Sequence, residues 1–293
     1  MKTNKLHPHT TVGAVTLNVA DLEKLTAFYH EVIGLQILTR RQDQTKLGSA
    51  GIKLLTLRHL SEGQPNKLAA PGLYHLALRL PSRADLGHWL RHYEQIGAPH
   101  WQGASDHGVS EALYLSDPEG NGIEIEWDKP TAQWPRQPDG SIEMYSIALN
   151  LSDLKASAPP APWTGLPPAT DMGHIHLKVS DLAAARHFYV DLLGFDTVSA
   201  FDTALFISVN NYHHHLGLNT WHSRGASTRP ANAYGLQQAT LIFPDTAERA
   251  AVIDRLQANG WSVDTSATTP TVADPAGNRL ALEIAGRGEA QLL

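Results

Sequence analysis

Asn18-Val19-Ala20-Asp21-Leu22, followed by Phe28-Tyr29 and Gly34-Leu35, recurs as Lys178-Val179-Ser180-Asp181-Leu182, Phe188-Tyr189 and Gly194-Phe195. The spacing is the same, with each residue of the second copy 160 positions after the first. Asp117-Pro118-Glu119-Gly120-Asn121 is echoed by Asp274-Pro275-Ala276-Gly277-Asn278, 157 positions later. Two similar stretches in the same internal order mean a duplicated domain, and repetition of this kind settles architecture before any residue has a role.

Working outward from these stretches, Thr11 to Val19 alternates and is rich in β-branched residues, which predicts a strand. Asp21 then caps a helix with Leu22, Leu25, Phe28, Tyr29, Val32 and Ile33 on its apolar side, and Gly34 stops it. Strands are expected over 36–41 and 52–59. The pattern restarts with a strand at 73–80, a helix at 81–96, and strands at 111–116 and 122–127. The second half repeats it: strand 174–179, helix 181–193, strands 204–209 and 214–219, then strand 236–243, helix 246–259 and strand 279–284. The fold class is therefore α+β, four βαβββ modules in two tandem domains over 10–128 and 171–286. Residues 129–170 join them; eight of the eighteen prolines lie between 130 and 168, and a stiff connector is expected there.

The length of 293 residues fits two domains. A net charge of −6 with mixed signs points away from nucleic acid and acidic membranes. No apolar run approaches the ~20 residues that span a bilayer. Met1 to Thr10 is polar, without an apolar signal core, so a cytoplasmic protein is the default expectation. The absence of cysteine excludes disulfides, thiolate ligands and cysteine nucleophiles, whereas sixteen histidines invite a His/carboxylate metal site.

A module of one helix and several strands covers one sheet face with its helix and leaves the other face available for function. Strand alternation sorts the residues. Ile175, Leu177 and Val179 face the helix, which puts His174, His176 and Lys178 on the open face. Ile123, Ile125 and Trp127 face the helix, which puts Gly122, Glu124 and Glu126 on the open face. His75 shares its face with Leu73 and Ala77. Ionisable groups on such faces are costly unless solvated, paired or metal-bound.

The Asp-Leu…Phe-Tyr…Gly-Leu helices and Asp-Pro-x-Gly-Asn turns resemble the vicinal oxygen chelate superfamily, which includes glyoxalase I, bleomycin-binding proteins and extradiol dioxygenases such as catechol 2,3-dioxygenase. The resemblance implies cup-shaped open β-barrels. It also implies metal ligands from first strands and from the strand after each Asp-Pro turn. Those positions hold Ala14, His75, His174 and Gln238 on the four first strands, and Glu124 and Ala281 after the two turns. The C-terminal half, where extradiol dioxygenases of this kind keep their metal, thus departs from the pattern at Gln238 and Ala281. The implied ligand set is His75, Glu124 and His174, a two-His-one-carboxylate set for Fe(II), with Mn(II) as the alternative metal. Tyr114, three before Asp117, matches the family's site tyrosine; module four has Val272 there.

His107 resembles a histidine that supports the site from just upstream. Tyr212-His213-His214-His215-Leu216-Gly217 resembles the segment carrying the acid–base histidine. Counting back from Gly217 selects His214, whereas alternation selects His213 or His215. His176 and His215 are further supporting or substrate candidates. Glu126 and Glu283 read as solvated rim groups.

The implied reaction is cleavage of a small aromatic diol by dioxygen beside a hydroxyl-bearing carbon, with a homo-oligomer plausible from exposed strand edges. The rival readings are a glyoxalase-like lyase or isomerase, which would want a fourth ligand near Gly217, and a metal-free protein that sequesters a small molecule.

Overall fold

The Phe-Tyr pair and the Asp-Pro turn are joined in each half by one buried side-chain hydrogen bond. Tyr29 donates its hydroxyl to Asp117 Oδ2 at 3.0 Å, and Tyr189 donates to Asp274 Oδ2 at 3.0 Å. The repeat seen in sequence is thus a repeated tertiary tie. In the computed structural model, residues 4–65 and 67–286 are described.

Module one runs β1 (Thr11–Val19), α1 (Leu22–Ala27), β2 (Gln36–Arg40), β3 (Gln44–Ser49) and β4 (Ile52–His59). Module two runs β5 (Gly72–Arg79), α2 (Arg83–Gln95), β6 (Trp101–Asp106), β7 (Ser110–Ser116) and β8 (Gly122–Asp128). Then come β9 (Ile147–Ala148) and α3 (Leu151–Ala156). Module three is β10 (Asp171–Lys178), α4 (Leu182–Arg186), β11 (Asp196–Ala200), β12 (Ala204–Ser208) and β13 (Leu216–Asn219). Module four is β14 (Gly235–Phe243), α5 (Thr246–Ala258), β15 (Val263–Asp264), β16 (Thr271–Ala273) and β17 (Arg279–Ile284). The α+β class and the four βαβββ modules are as expected.

Asp21 caps α1 through the Lys24 N–H, and Asp181 caps α4 through Ala183 and Ala184. Each helix then widens into a π turn, Phe28–Ile33 and His187–Leu193, rather than staying α-helical as its periodicity predicts. Gly34 and Gly194 end these turns with φ of 96° and 101°, the left-handed region open to glycine. Phe28, Tyr29, Phe188 and Tyr189 on these turns are all buried.

The chain groups into two compact units. One comprises residues 17–63 and 74–173; the other comprises residues up to Thr16, Gln64–Leu73 and the chain from His174 onward. In the first unit the strand order is β5-β8-β7-β6-β9, an open sheet. β5 and β8 run parallel and β8, β7 and β6 antiparallel. α2 lies on one face, with Leu86, Trp89, Leu90 and Tyr93 buried. In the second unit the order is β10-β13-β12-β11, with β10 and β13 parallel, and β14-β17-β16-β15, with β14 and β17 parallel.

Residues 129–170, expected to be a connector, are built into the first unit. β9 pairs with β6, Leu154 of α3 is fully buried, and a Cβ on Gly87 of α2 would lie 2.2 Å from the Leu154 carbonyl oxygen. The expected strand over 36–41 is present as β2, whereas β3, β6, β11, β15 and β16 were not expected; they are short or polar, and β11 and β15 sit at sheet edges.

Candidate metal and acid–base site

β5 and β8 are parallel neighbours whose register sets His75 opposite Gly122 and Ala77 opposite Glu124. Opposed residues share a face, so the pairing brings His75 and Glu124 to one side of the sheet. His75 Nε2 lies 3.0 Å from Glu124 Oε2, and the side chains are 9% and 2% exposed. A carboxylate this buried is costly unless cations or donors surround it.

β7 supplies the next contact. Tyr114 is opposed to Glu124 in the antiparallel β7/β8 register, and its hydroxyl donates to Glu124 Oε1 at 2.9 Å. His107 follows β6, and its Nε2 lies 2.7 Å from the same hydroxyl oxygen. His107 Nδ1 is 3.0 Å from the backbone carbonyl of Tyr145, which can only accept, so Nδ1 carries a proton. Glu124, Tyr114 and His107 thus form a short hydrogen-bond relay centred on the Tyr114 hydroxyl. Burial, then the Glu124 charge and its hydrogen bond, push the Tyr114 phenol well above its ordinary 10.0, so that it keeps its proton. Burial and Glu124 also raise Tyr74 on the neighbouring β5.

The second unit carries the remaining histidines. His174 and His176 are on β10, 2% and 3% exposed. The His214 ring lies 4.1 Å from that of His174, and the His213 ring 6.3 Å. His213 and His214 face each other through their Nδ1 atoms at 2.8 Å. His215 turns to β12, with Nδ1 2.9 Å from Ser208 Oγ. β13 starts at Leu216 and not at His214, so strand alternation does not govern the triplet and the three rings splay in different directions.

His176 has a defined tautomer. Asn219 Oδ1 accepts from the Trp221 N–H at 3.2 Å, which leaves Asn219 Nδ2 as the group 3.0 Å from His176 Nε2. Nε2 therefore accepts, and the proton sits on Nδ1. Gly217 pairs with His176 on one side and Phe206 on the other. A Cβ at Gly217 would come 2.8 Å from His176 Cγ. This glycine is the gap over which the His176 and Phe206 rings meet, 5.7 Å apart. Phe206 also lies 5.1 Å from the His214 ring. Sequence reasoning missed Phe206; the available signal was the glycine opposite it inside a strand. It also misjudged Glu126, expected on a solvated rim but fully buried, because β8 is an interior strand with β5 and β7 on either side.

A family profile described as the Glyoxalase/Bleomycin resistance protein/Dioxygenase superfamily matches residues 11–125 and 171–282. A Catechol-2,3-dioxygenase of Bacillus subtilis (strain 168) is 40% identical over 277 residues, covering 92% of this chain and 95% of the relative. Among solved structures, a proposed dioxygenase from Bacillus subtilis subsp. subtilis str. 168 superposes with a TM-score of 0.65 at 13% identity, covering 99% of this chain and 89% of that one. A glyoxalase I variant from Zea mays gives 0.57 at 16% identity, covering 94% of each chain. These two likenesses establish the fold alone. Among the described residues, no helix is long and apolar enough to cross a membrane.

Proposed function

Because this chain belongs to the Glyoxalase/Bleomycin resistance protein/Dioxygenase superfamily, we propose that it is an extradiol dioxygenase that opens a catechol-type ring with dioxygen at a two-His-one-carboxylate metal site. The observation that carries the reading is the buried contact of His75 with one Glu124 oxygen while Tyr114 holds the other. The Bacillus subtilis relative named Catechol-2,3-dioxygenase supports the same reaction class.

The proposed ligands are His75, Glu124 and His174, each of them buried. The donor set fits a divalent cation: a buried carboxylate calls for positive charge, and two imidazoles with one carboxylate suit Fe(II), with Mn(II) fitting the same donors. The position from which a glyoxalase-like fourth ligand would come is near Gly217, where a side chain would run into His176. That favours a site with open positions over a lyase. When bound, the ferrous ion would supply Lewis acidity and electron transfer between diol and dioxygen.

The protein groups do the rest. Tyr114 fixes Glu124 through its hydroxyl and keeps its proton, with His107 behind it to exchange one. His214 is the general base for a catechol hydroxyl. Its Nδ1 contact with His213 holds the ring in place. Phe206, packed edge-on to the His214 ring, supplies an apolar wall suited to an aromatic substrate.

The test is anaerobic Fe(II) reconstitution followed by catechol in air, watching for the yellow ring-opened product. Wild type would form it and the His75→Ala and His174→Ala variants would not. Iron uptake without ring opening would overturn the dioxygenase reading, and activity persisting in His174→Ala would remove His174 from the ligand set.

A further inference from the structure

Lys178, at the end of β10, is 4% exposed. Its ammonium donates to the Leu68 carbonyl at 2.9 Å, its hydrogen-bond partner among the described residues. An ammonium offers three N–H bonds, and one carbonyl does not balance its charge. The same loop meets another cation, Arg229, whose side chain lies against Gly72 and whose charge acts on Lys178. Arg229 donates through Nη2 to the Leu236 carbonyl, while its Nη1 is buried with no hydrogen-bond partner. Neither cation forms an ion pair among the described residues.

The carboxylate that acts on Arg229 is Asp274. Its oxygens are already occupied by the Tyr189 hydroxyl, the Asn278 amide and backbone N–H, and the Ala276 N–H. It holds the Asp-Pro turn together and is not in contact with the guanidinium. The backbone here is shaped around Arg229: a Cβ on Gly72, whose φ is +140°, would come 3.2 Å from Arg229 Nε. The cover over Lys178 is a loop of the same unit. Leu68 turns its carbonyl to Lys178 while its residue as a whole is 71% exposed, and the loop is pinned where the Gln64 N–H meets Asn232 O at 2.9 Å.

A buried ammonium and a part-buried guanidinium against one loop cost free energy, and removal from water is repaid only by a counter-charge with good donor geometry. The matching occupant is an anion with several acceptor oxygens, which can take the spare Arg229 and Lys178 N–H bonds together. We propose that Lys178 and Arg229 form a binding site for a small oxyanion, a carboxylate or phosphate group. Along β10, Lys178 is four residues from His174, about 13 Å at the usual strand rise. That span is too long for a carboxyl attached directly to a ring held at His174. The oxyanion is therefore a separate small anion or the terminus of a ring side chain. The proposal does not rest on the reaction assigned above.

The test uses the full chain at constant ionic strength with inorganic phosphate replacing chloride. A ligand that binds only the folded state raises the unfolding midpoint saturably. Wild type is expected to show this rise and to bind phosphate by titration calorimetry. Lys178→Met and Arg229→Gln, each losing charge-assisted bonds, are expected to bind it roughly tenfold or more weakly. No saturable response in wild type, or equal responses in wild type and both variants, would overturn the site. Should one variant fail to fold, the other against wild type still decides. A second arm compares catechol with 3-(3,4-dihydroxyphenyl)propionate. A rise in KM for the acid alone in Lys178→Met assigns the oxyanion to a substrate side chain. Unchanged KM values alongside lost phosphate binding assign it to an independent anion.

Discussion

Tyr114 and Glu124 face each other across the antiparallel β7/β8 pair, and the phenol donates a hydrogen bond to the carboxylate at 2.9 Å. The bond joins two positions ten residues apart in sequence and leaves His75 the other oxygen of the same carboxylate. It links a buried charge to a hydrogen-bond relay that runs through His107 to the Tyr145 carbonyl.

Tyr114→Phe removes the donor and keeps the ring. Leaving a buried acceptor oxygen without its partner costs about 1–3 kcal/mol, to be measured by urea unfolding. If the relay serves the reaction, the ring-opening rate falls about 10²–10⁴-fold, the usual scale of general acid–base assistance, with metal content unchanged. A full rate in Tyr114→Phe would show the relay to be structural.

Glu124→Gln preserves shape and removes the charge. Metal content after anaerobic reconstitution and desalting is expected to fall at least about tenfold, since the carboxylate is the one anionic donor proposed. The metal-free variant is expected to fold, because the neutral amide retains a carbonyl for Tyr114. Normal iron content would move the ligand role to another carboxylate.

Gly217→Ala adds a methyl group where His176 Cγ would lie 2.8 Å away. Overpacking of this kind costs about 1–3 kcal/mol. The His176 ring must shift from Asn219, so the His176 imidazole resonance is expected to move in NMR spectra together with the loss in unfolding free energy. An unchanged spectrum would show that the strand and not the ring gives way.

Burial, then Arg229, lowers the Lys178 ammonium from its ordinary 10.5. The folded state therefore binds its proton less tightly than the unfolded chain. The penalty is fully present at pH below the folded value and disappears as pH rises from that value towards 10.5. In chloride buffer, the unfolding free energy of wild type relative to Lys178→Met is expected to rise over that interval. A flat difference would show that Lys178 carries no burial penalty.

The two Asp-Leu…Phe-Tyr…Gly stretches and the two Asp-Pro turns were enough to read four modules, because capping, helix stop and turn chemistry are local. His75 and Glu124 were readable as facing the same way because alternation along β5 and β8 is local too. The strands β6 and β11 were not readable: Trp101–Asp106 has no apolar face to bury, and it is a strand because β7 and β9 offer it backbone partners. Glu126 misled for a similar reason, since its burial comes from neighbouring strands and not from its own segment.

By itself, then, the sequence determined the duplicated α+β architecture, the helix and turn positions, and the identities of the polar residues on open sheet faces. Tertiary structure decided what those residues touch. The His213–His215 triplet lies before β13, where no period applies; backbone geometry sends His214 to His174 and His215 to Ser208. The π turns, the Gly217 gap under His176 and Phe206, and the placing of Lys178 and Arg229 against one loop are likewise non-local. Each depends on which strand or loop arrives from elsewhere in the chain, and a periodicity of two or 3.6 residues carries no record of that arrival.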